Sequence, residues 1–207
     1  MLKTQIIPVS DPLAYSIAQD ILEVGELVAF PTDTVYGVGT PVFNKQGIIN
    51  LYNAKLRNTA KAIPILIGDP ADLPQVAVDI SDMVKKLSQQ FWPGPLTLVI
   101  PRRPNLPEEL SPYPTIGVRM PDHPVALTLL KTMGAMAVTS ANLSGNVNAC
   151  SAEEVLEQLG GRIAMILDGG RTPGGKPSTV VDCSGTAPVI LREGPISLMD
   201  IKKAINS

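Results

Sequence analysis

The sequence predicts an α/β protein of the α+β type, in which helices pack in layers on a twisted mixed β-sheet. Helical and strand-like segments interleave along the whole chain, and this alternation is typical of layered folds. Some strand-like segments follow one another with no helix between them, as at 178–182 and 188–191, so a mixed sheet is favoured over a strictly parallel one. The length of 207 residues and the hydrophobic content of 44% suit a single domain over residues 1–207.

The first predicted element is a helix at Pro12–Val24. Apolar residues recur there at helical spacing, Ser10 and Asp11 precede it as capping residues, and Gly25 follows it. The following segments predict a strand at 27–30, a helix at 45–54, a buried strand at 63–67, two short helices within 70–90 divided near Asp79, and a strand at 96–100.

The segment Pro101–Pro114 is rich in proline and predicts a surface loop with freedom to move. The second half of the chain then predicts a strand at 115–120, a helix at 122–133, a strand at 135–139, a helix at 151–159, a strand at 163–167, strands near 178–182 and 188–191, and a last helix from Ser197.

Composition limits the function classes. No apolar run approaches the roughly 20 residues of a membrane helix, and the first ten residues lack signal-peptide and transit-peptide features. We therefore expect no membrane association and a cytoplasmic location. The formal net charge is −2 and aromatic residues make up 4% of the chain, which disfavours a polycationic nucleic-acid binder and a stacking platform for single strands. Any basic site must be local.

The two cysteines, Cys150 and Cys183, have no C-x-x-C partner and no neighbouring histidine. We interpret both as reduced thiols without a metal or redox role. No metal site built from protein side chains is expected.

The decamer Phe30–Gly39, Phe-Pro-Thr-Asp-Thr-Val-Tyr-Gly-Val-Gly, carries the strongest functional signal. It continues from the apolar strand 27–30, which Pro31 ends. Polar side chains then follow at fixed spacing, and they are Thr32, Asp33, Thr34 and Tyr36. A hydrogen-bonded turn without any ligand uses the same residue types, so the decamer alone leaves both interpretations open.

Lys55 and Arg57 follow a helical segment, with Lys61 close behind. Alternate residues of an extended segment project to the same side, so Lys55 and Arg57 are expected to converge on one anion. A solvated basic turn is the alternative.

Ser140 and Asn142 follow the apolar strand at 135–139. A serine hydrolase is rejected because the only histidine, His123, stands at a predicted helix start and there is no G-x-S-x-G elbow. We assign His123 no role. Hydroxyl and amide groups without a base suit the binding of phosphate or carboxylate oxygens, or the capping of the next helix.

Arg119 ends an apolar strand, where burial demands an anionic partner, and we predict that it clamps a carboxylate. The glycine-rich segment 170–177 resembles a Walker A loop but fails, because Pro177 replaces the magnesium-binding hydroxyl and the next residues are strand-like. Ser178 and Arg192 are expected to return a hydroxyl and a cation to the same site.

Eight motifs, in order and nearly end to end, resemble the YrdC/TsaC family of threonylcarbamoyl-AMP synthases. They are Phe-Pro-Thr-Asp-Thr-Val-Tyr-Gly at 30–37, the K-x-R of Lys55 and Arg57, Phe-Trp-Pro-Gly-Pro-Leu-Thr at 91–97, Val-Arg-Met-Pro at 118–121, Ser-Ala-Asn at 140–142, Asp-Gly-Gly at 168–170, Ser-Thr-Val-Val-Asp at 178–182 and Leu-Arg-Glu-Gly at 191–194.

The resemblance implies a three-layer YrdC-like fold with a concave basic site. It implies that L-threonine is bound by Thr34, Arg119, Val138 and Ser178. It implies that ATP is bound by Arg57, Lys61, Thr115, Ser140, Asn148 and Arg192. It implies a catalytic tetrad of Lys55, Arg57, Ser140 and Asn142. Longer members of the family carry an additional C-terminal domain, and we expect none here.

The implied reaction joins L-threonine, bicarbonate and ATP into threonylcarbamoyl-AMP with release of pyrophosphate, as the first step of threonylcarbamoyladenosine modification of tRNA. Mg²⁺ is expected on the ATP phosphates, and transferase proteins that modify tRNA are expected downstream. The alternative is a non-catalytic module that binds tRNA or double-stranded RNA. A hydrogenase-maturation domain that transfers carbamoyl groups is disfavoured, because such chains are much longer and carry zinc-binding cysteines.

Overall fold

The computed structural model describes residues 3–174 and 176–206. The strands within this part of the chain are β1 (Gln5–Pro8), β2 (Val28–Phe30), β3 (Gly37–Pro41), β4 (Ile65–Leu66), β5 (Leu96–Pro101), β6 (Thr115–Arg119), β7 (Met136–Ser140), β8 (Met165–Asp168), β9 (Thr179–Asp182) and β10 (Val189–Arg192). They form one sheet in the order β1-β8-β2-β3-β7-β4-β6-β5-β9-β10. Parallel and antiparallel pairs both occur, so the predicted mixed sheet is confirmed.

The helices are α1 (Ala14–Glu23), α2 (Lys45–Lys55), α3 (Leu73–Val76), α4 (Asp82–Phe91), α5 (Pro124–Met133), α6 (Ala152–Leu159) and α7 (Leu198–Asn206). Short 3₁₀ turns lie at Pro70–Asp72 and Glu108–Leu110. Several helices begin at side-chain caps of the expected type. For example, Ser81 accepts a hydrogen bond from the Val84 amide and Ser151 accepts one from the Glu154 amide.

Helices cover both faces of the sheet, which makes three layers. Successive strand residues point to opposite faces, and accordingly Val28 and Phe30 pack with α1 and α5 while Ala29 packs in the larger core on the other face. Buried residues of α2, α3, α4, α6 and α7 contribute to that larger core. The expected layered α/β fold is therefore confirmed.

Two strands are absent from the sequence-based prediction. β1 is an edge strand whose side chains are mostly exposed, so it lacks the alternating apolar pattern that identifies a strand. β3 contains Gly37, Gly39 and Pro41, residue types that are depleted in strands. The glycines are required by the neighbouring strand, because a Cβ on Gly39 would lie 2.6 Å from the Ala137 carbonyl oxygen.

The proline-rich segment 101–114 was expected to be a surface loop with freedom to move, and this is wrong in part. Leu106 and Leu110 belong to the larger core. The Arg102 guanidinium donates hydrogen bonds to the carbonyl groups of Leu106, Pro107 and Ser111. Burial and these bonds hold the segment against the domain.

No helix within the described ranges has the length and apolar character needed to cross a membrane.

Candidate active site

A cavity of about 380 Å³ opens on the same face of the sheet as α1 and α5. Its floor consists of strand residues that alternate with core residues. On β5 and β6, Thr97, Val99, Gly117 and Arg119 face the cavity, while Leu98 and Val118 between them belong to the larger core. On this face of the sheet, α1 and α5 cover β2 and β8, and the cavity lies over β5 and β6.

The connection between β2 and β3 forms one wall. Thr32 Oγ1 donates to the Val35 carbonyl at 2.7 Å and accepts from the Thr34 and Val35 amides at 3.2 and 3.4 Å. This arrangement is a side-chain-stabilised turn, and it presents the Thr34 hydroxyl to the cavity. The hydrogen-bonded turn expected for this decamer is therefore present, and it forms part of the cavity wall. A ligand-binding role for it stays a prediction.

Tyr36 lines the cavity, but its hydroxyl has a structural partner. It donates to the Gly170 carbonyl at 2.7 Å and accepts from the Gly169 amide at 3.3 Å. Burial raises the pKa of the Tyr36 phenol to about 12. The phenol therefore ties the segment after β8 to the wall and is poorly suited to proton transfer near neutral pH.

Arg119 is 7% exposed and is held on three sides. Its Nε donates to the Gly94 carbonyl at 3.0 Å, its Nη1 donates to Thr34 Oγ1 at 3.2 Å, and its Nη2 pairs with the Asp33 carboxylate. A guanidinium has five N–H groups, so one on each terminal nitrogen remains for a ligand. Burial lowers the pKa of Arg119 and the Asp33 charge opposes this effect, so the group keeps its positive charge.

Lys55 does not face the cavity, and the expectation that Lys55 and Arg57 converge on one anion is wrong. Lys55 is the last residue of α2 and is 1% exposed, and Leu56 after it adopts a left-handed conformation at φ 51°. The chain is therefore not extended here. The Lys55 ammonium donates to the carbonyl groups of Ser140 and Asn142, while Arg57 turns the other way and lines the cavity.

Arg57 is anchored by the segment that follows it. Its Nη2 donates to the Ala62 carbonyl at 2.8 Å and its Nε donates to the Lys61 carbonyl at 3.3 Å. Burial lowers its pKa, but an arginine remains charged at neutral pH. This side chain supplies the second cation of the cavity.

Ser140 lines the cavity at the end of β7, and Asn142 supports the turn behind it. Asn142 is 4% exposed, and its amide nitrogen donates to the Leu143 and Asn146 carbonyl groups at 2.8 and 3.0 Å. Lys55 and Asn142 therefore fix the backbone that carries the Ser140 hydroxyl. The four residues of the implied tetrad are in fact brought together, with Arg57 and Ser140 at the cavity and the other two behind it.

The third cation, Arg192, lies at the end of β10 and is bonded to Ser178. Its Nε and Nη2 donate to the Ser178 carbonyl at 3.0 and 2.9 Å, and Nη2 also lies 3.0 Å from Ser178 Oγ. Both residues line the cavity, together with Val138 and Asn148. Eight of the residues implied by resemblance therefore share one cavity, namely Thr34, Arg57, Arg119, Val138, Ser140, Asn148, Ser178 and Arg192.

Two implied ATP residues do not line this cavity. Thr115 shares a face of β6 with Gly117 and Arg119, at spacings of two and four residues, so it lies at the margin. The Lys61 side chain is exposed, and its backbone carbonyl holds Arg57.

Sequence reasoning assigned no specific role to Asp33 and Thr97. Asp33 is the ion-pair partner of Arg119, 86 residues away in the chain, and Thr97 Oγ1 lies 2.8 Å from Ser178 Oγ across 81 residues. No local spacing reveals such pairs. The one available signal was the demand of a buried arginine for an anion, which did predict a partner for Arg119 but not its identity.

The cavity combines cations with hydroxyl groups. Its described lining includes three guanidinium groups and no carboxylate, histidine or cysteine. Ser140 has no imidazole or amine base with a recorded hydrogen bond to its hydroxyl among the described residues, so the arrangement does not fit nucleophilic catalysis by serine. It fits the binding and alignment of a ligand with several negative charges.

Comparisons with known proteins extend these observations. The Sua5/YciO/YrdC family model, described as telomere recombination, matches residues 20–194. The "Threonylcarbamoyl-AMP synthase" of Bacillus subtilis is 40% identical over 191 residues, which cover 91% of this chain and 55% of that protein. A Mycobacterium tuberculosis protein provisionally given the same name is 38% identical over 185 residues, covering 89% of this chain and 85% of that protein.

Solved structures agree with the sequence matches. The crystal structure of Pyrococcus abyssi Sua5 complexed with L-threonine superimposes with a TM-score of 0.91 and 36% identity, covering 99% of this chain and 61% of that one. Escherichia coli YciO superimposes with a TM-score of 0.85 and 25% identity, covering 97% of this chain and all of that one. The chain therefore spans little more than half of some relatives and the full length of others.

Proposed function

Because the chain belongs to the Sua5/YciO/YrdC family, we propose that it is a nucleotidyltransferase that converts L-threonine, bicarbonate and ATP into threonylcarbamoyl-AMP and pyrophosphate. The observation that carries this proposal is the cavity itself, which gathers Arg57, Arg119 and Arg192 with hydroxyl groups and no acidic lining among the described residues. All three substrates are anionic or become anionic during the reaction, so cations that hold them together suit the chemistry.

The threonine end lies around Arg119. Its two remaining N–H groups match the two oxygens of a carboxylate, and the Thr34 and Ser178 hydroxyls stand in the same cavity. Val138, 4% exposed, supplies an apolar wall for the threonine methyl group. The Sua5 of P. abyssi is described in complex with L-threonine, which supports threonine as the amino acid bound here.

The ATP end lies around Arg57 and Arg192, with Ser140 and Asn148 as further contacts. Lys61, which is exposed and whose carbonyl holds Arg57, and Thr115, on the same face of β6 as Arg119, are the outer contacts of this proposal. The threonine amine captures carbon dioxide derived from bicarbonate and loses a proton, which gives a carbamate. A carbamate oxygen then forms a bond to the α-phosphorus, and the bond from that phosphorus to pyrophosphate breaks. Guanidinium groups neutralise the charge that accumulates on the phosphate oxygens, and no protein nucleophile is required.

No group of three or more His, Cys, Asp or Glu side chains within 3–174 and 176–206 is arranged to hold a metal ion. In nucleotide-binding sites Mg²⁺ is held largely by substrate phosphates. We propose that Mg²⁺ enters this cavity on the phosphate oxygens of ATP.

We further propose a cytoplasmic location and downstream transfer of the product by tRNA-modifying transferase proteins. The RNA-binding alternative has less support, because the cations lie inside a cavity and the chain carries a net charge of −2. A backbone-binding module needs cations along an exposed surface. Affinity for tRNA that falls steeply with salt, without any synthesis, would favour that alternative.

The decisive experiment measures pyrophosphate release from ATP, with threonine and bicarbonate omitted in turn. The proposal requires release that depends on both. Arg57→Ala is expected to lower the rate at least about a hundredfold, since it removes a cation that stabilises the transition state. Arg162→Ala is the matched control, because Arg162 is exposed and does not line this cavity.

The fold of each variant is checked by its unfolding transition. Arg57→Lys separates charge from geometry, because lysine keeps the charge but not the forked donor arrangement. Near-normal turnover in Arg57→Ala would refute the role of Arg57, and release that ignores threonine would refute the reaction.

A further inference from the structure

A short chain of hydrogen bonds crosses the cavity floor between the two ends of the site. Thr97 Oγ1 and Arg192 Nη2 lie 2.8 and 3.0 Å from the same atom, Ser178 Oγ. Thr97 is 5% exposed and Ser178 is 4% exposed, and both line the cavity. Thr97 belongs to the motif at 91–97, but the family resemblance implies no role for it. Its contact with Ser178 therefore has no part in the reaction as proposed.

The Ser178 hydroxyl has a fixed number of donor and acceptor positions. A serine hydroxyl has one hydrogen and two lone pairs, whereas a guanidinium only donates. Arg192 therefore occupies one lone pair of Ser178 Oγ. Either hydroxyl of the Thr97–Ser178 pair can donate. When Thr97 donates, both lone pairs of Ser178 Oγ are occupied, and the Ser178 hydrogen is left to donate to another group. It then requires an acceptor from within the cavity, and an anionic oxygen is the strongest one.

The shape of Thr97 holds its hydroxyl in this position. A Cβ on Gly117 of the neighbouring strand β6 would lie 3.0 Å from Thr97 Cγ2, so the threonine methyl packs directly against the glycine. β-branched side chains have few χ1 choices. With the methyl against Gly117, the Thr97 hydroxyl is directed to Ser178.

We infer that Thr97 is a positioning residue that commits the Ser178 hydroxyl to donate to the anionic end of bound threonine, and that the chain Thr97–Ser178–Arg192 makes threonine and ATP bind cooperatively. This inference rests on the proposed function, which supplies the two ligands. A hydroxyl that donates a hydrogen bond becomes a better acceptor. Threonine bound to Ser178 therefore strengthens the bond from Arg192.

Arg192 also has one terminal nitrogen, Nη1, that is available to ATP. Its Nε and Nη2 are bonded to Ser178, and its Nη1 has no hydrogen bond among the residues that the structure describes. A more firmly held guanidinium presents Nη1 to a phosphate oxygen at a lower entropic cost. Each substrate thus raises the affinity for the other, as reciprocity of coupling requires.

The test measures the dissociation constant of ATP by calorimetry, with and without saturating L-threonine. In the wild-type protein, threonine is expected to tighten ATP binding. Thr97→Val keeps the side-chain shape but removes the hydroxyl, and it should reduce that tightening about threefold to tenfold, the range of one hydrogen bond. Thr97→Ser keeps the hydroxyl and should retain most of the coupling.

Thr97→Ala removes the hydroxyl without adding an atom, so it repeats the test if the valine methyl disturbs folding beside Ser178. Unchanged coupling in both Thr97→Val and Thr97→Ala would overturn the inference. Equal loss in Thr97→Val and Thr97→Ser would also overturn it, because serine keeps the hydroxyl and the loss would then not follow the hydroxyl.

Failure of the inference is distinguishable from failure of the proposed function. A wild-type protein that releases pyrophosphate while threonine leaves ATP affinity unchanged overturns the coupling and leaves the synthase activity standing. A wild-type protein that shows Thr97-dependent coupling but releases no pyrophosphate overturns the synthase activity and supports the coupling.

Discussion

Lys55 is a buried cation whose hydrogen-bond partners are two backbone carbonyl groups rather than a carboxylate. Burial, followed by the charge of the nearby Arg57, lowers the pKa of its ammonium to about 7. A buried ammonium of this kind carries a cost in stability. The N–H groups of Lys55, of which the neutral amine keeps two, fix the turn of Ser140 and Asn142. The two cations of the K-x-R motif therefore differ in position, because Lys55 supports the backbone behind the cavity while Arg57 lines the cavity.

This arrangement predicts an unusual dependence of stability on pH. In the unfolded chain Lys55 titrates near its ordinary pKa of 10.5, so between pH 7 and 10 the unfolded state binds a proton that the folded protein has released. The free energy of unfolding should accordingly rise with pH in this window, by at most about 1.4 kcal/mol per pH unit. Urea unfolding at pH 7, 8 and 9 measures the slope.

The slope should disappear in Lys55→Met and remain in Lys61→Met, since Lys61 is exposed. Burial raises the pKa of Tyr36 and Cys183 to about 12 each, which lowers stability only above about pH 9, so the measurement stops there. An equal slope in wild type and Lys55→Met would contradict the assignment.

For individual residues, the sequence predicted which side chains lie near the site more reliably than it predicted their orientations. Arg119 was expected to need an anion, and it has Asp33. Lys55 was misplaced because an extended segment was assumed, whereas the helix continues to Lys55 and turns at Leu56. One left-handed residue reverses which side chains share a face, and a leucine gives no warning of that conformation.

Among the elements, α2 and β3 pack unusually closely. A Cβ on Gly47 of α2 would lie 2.1 Å from Thr40 Oγ1 and 2.9 Å from Thr40 Cβ, and Thr40 on β3 is fully buried. Close approach of the helix brings its last turn, with Lys55, to the end of β7. Gly47 thus contributes to the site from a distance.

Gly47→Ala is expected to destabilise the protein by about 1–3 kcal/mol, the usual cost of overpacking. Helix propensity alone predicts the opposite sign, a gain of about 1 kcal/mol, so the sign of the change decides which effect wins. Gln46→Ala is the control, because Gln46 is the exposed neighbour in the same helix. Urea unfolding that shows a gain for Gly47→Ala would refute the packing argument.

Element types were predictable where the amphipathic spacing is regular, as in α1, α4 and α6. The start of α1 was less predictable, because the helix begins at Ala14 without a side-chain cap. β3 was not predictable, because its glycines are required by close contact with β7 and not by a local conformational preference. The segment 101–114 was misjudged for a related reason, since its prolines indicate a loop but say nothing of the core contacts of Leu106 and Leu110.

For the molecule as a whole, the fold class followed from the interleaved segments, but the cavity did not. Thr97, Gly117 and Arg119 stand in strands that read as apolar runs, and their meeting depends on the pairing of β5 with β6 and β9. Pairing between distant strands is not encoded in local spacing. Resemblance to a family supplied two cavity residues that local patterns did not indicate, Val138 and Asn148.

Ligand binding should stabilise the whole domain, because residues of the cavity come from both halves of the chain. ATP at about 100 times its dissociation constant adds about 2.7 kcal/mol to the free energy of unfolding. For a chain of this length we expect the melting temperature to rise by about 5–10 °C. Scanning calorimetry measures the shift, Arg57→Ala should reduce it strongly, and Arg162→Ala should not. No shift in the wild-type protein would argue against an ATP site.

The cation Arg192 stands at the outermost margin of this sheet. β10 pairs with β9 alone among the described strands, its register shifts between Ile190 and Arg192, and Val189 and Leu191 are more than half exposed. Strands of this kind fray at a low free energy while the centre of a domain stays closed. On warming, β10 should therefore detach before the helices unfold. If Arg192 binds the nucleotide as proposed, nucleotide binding should be lost at a lower temperature than the fold.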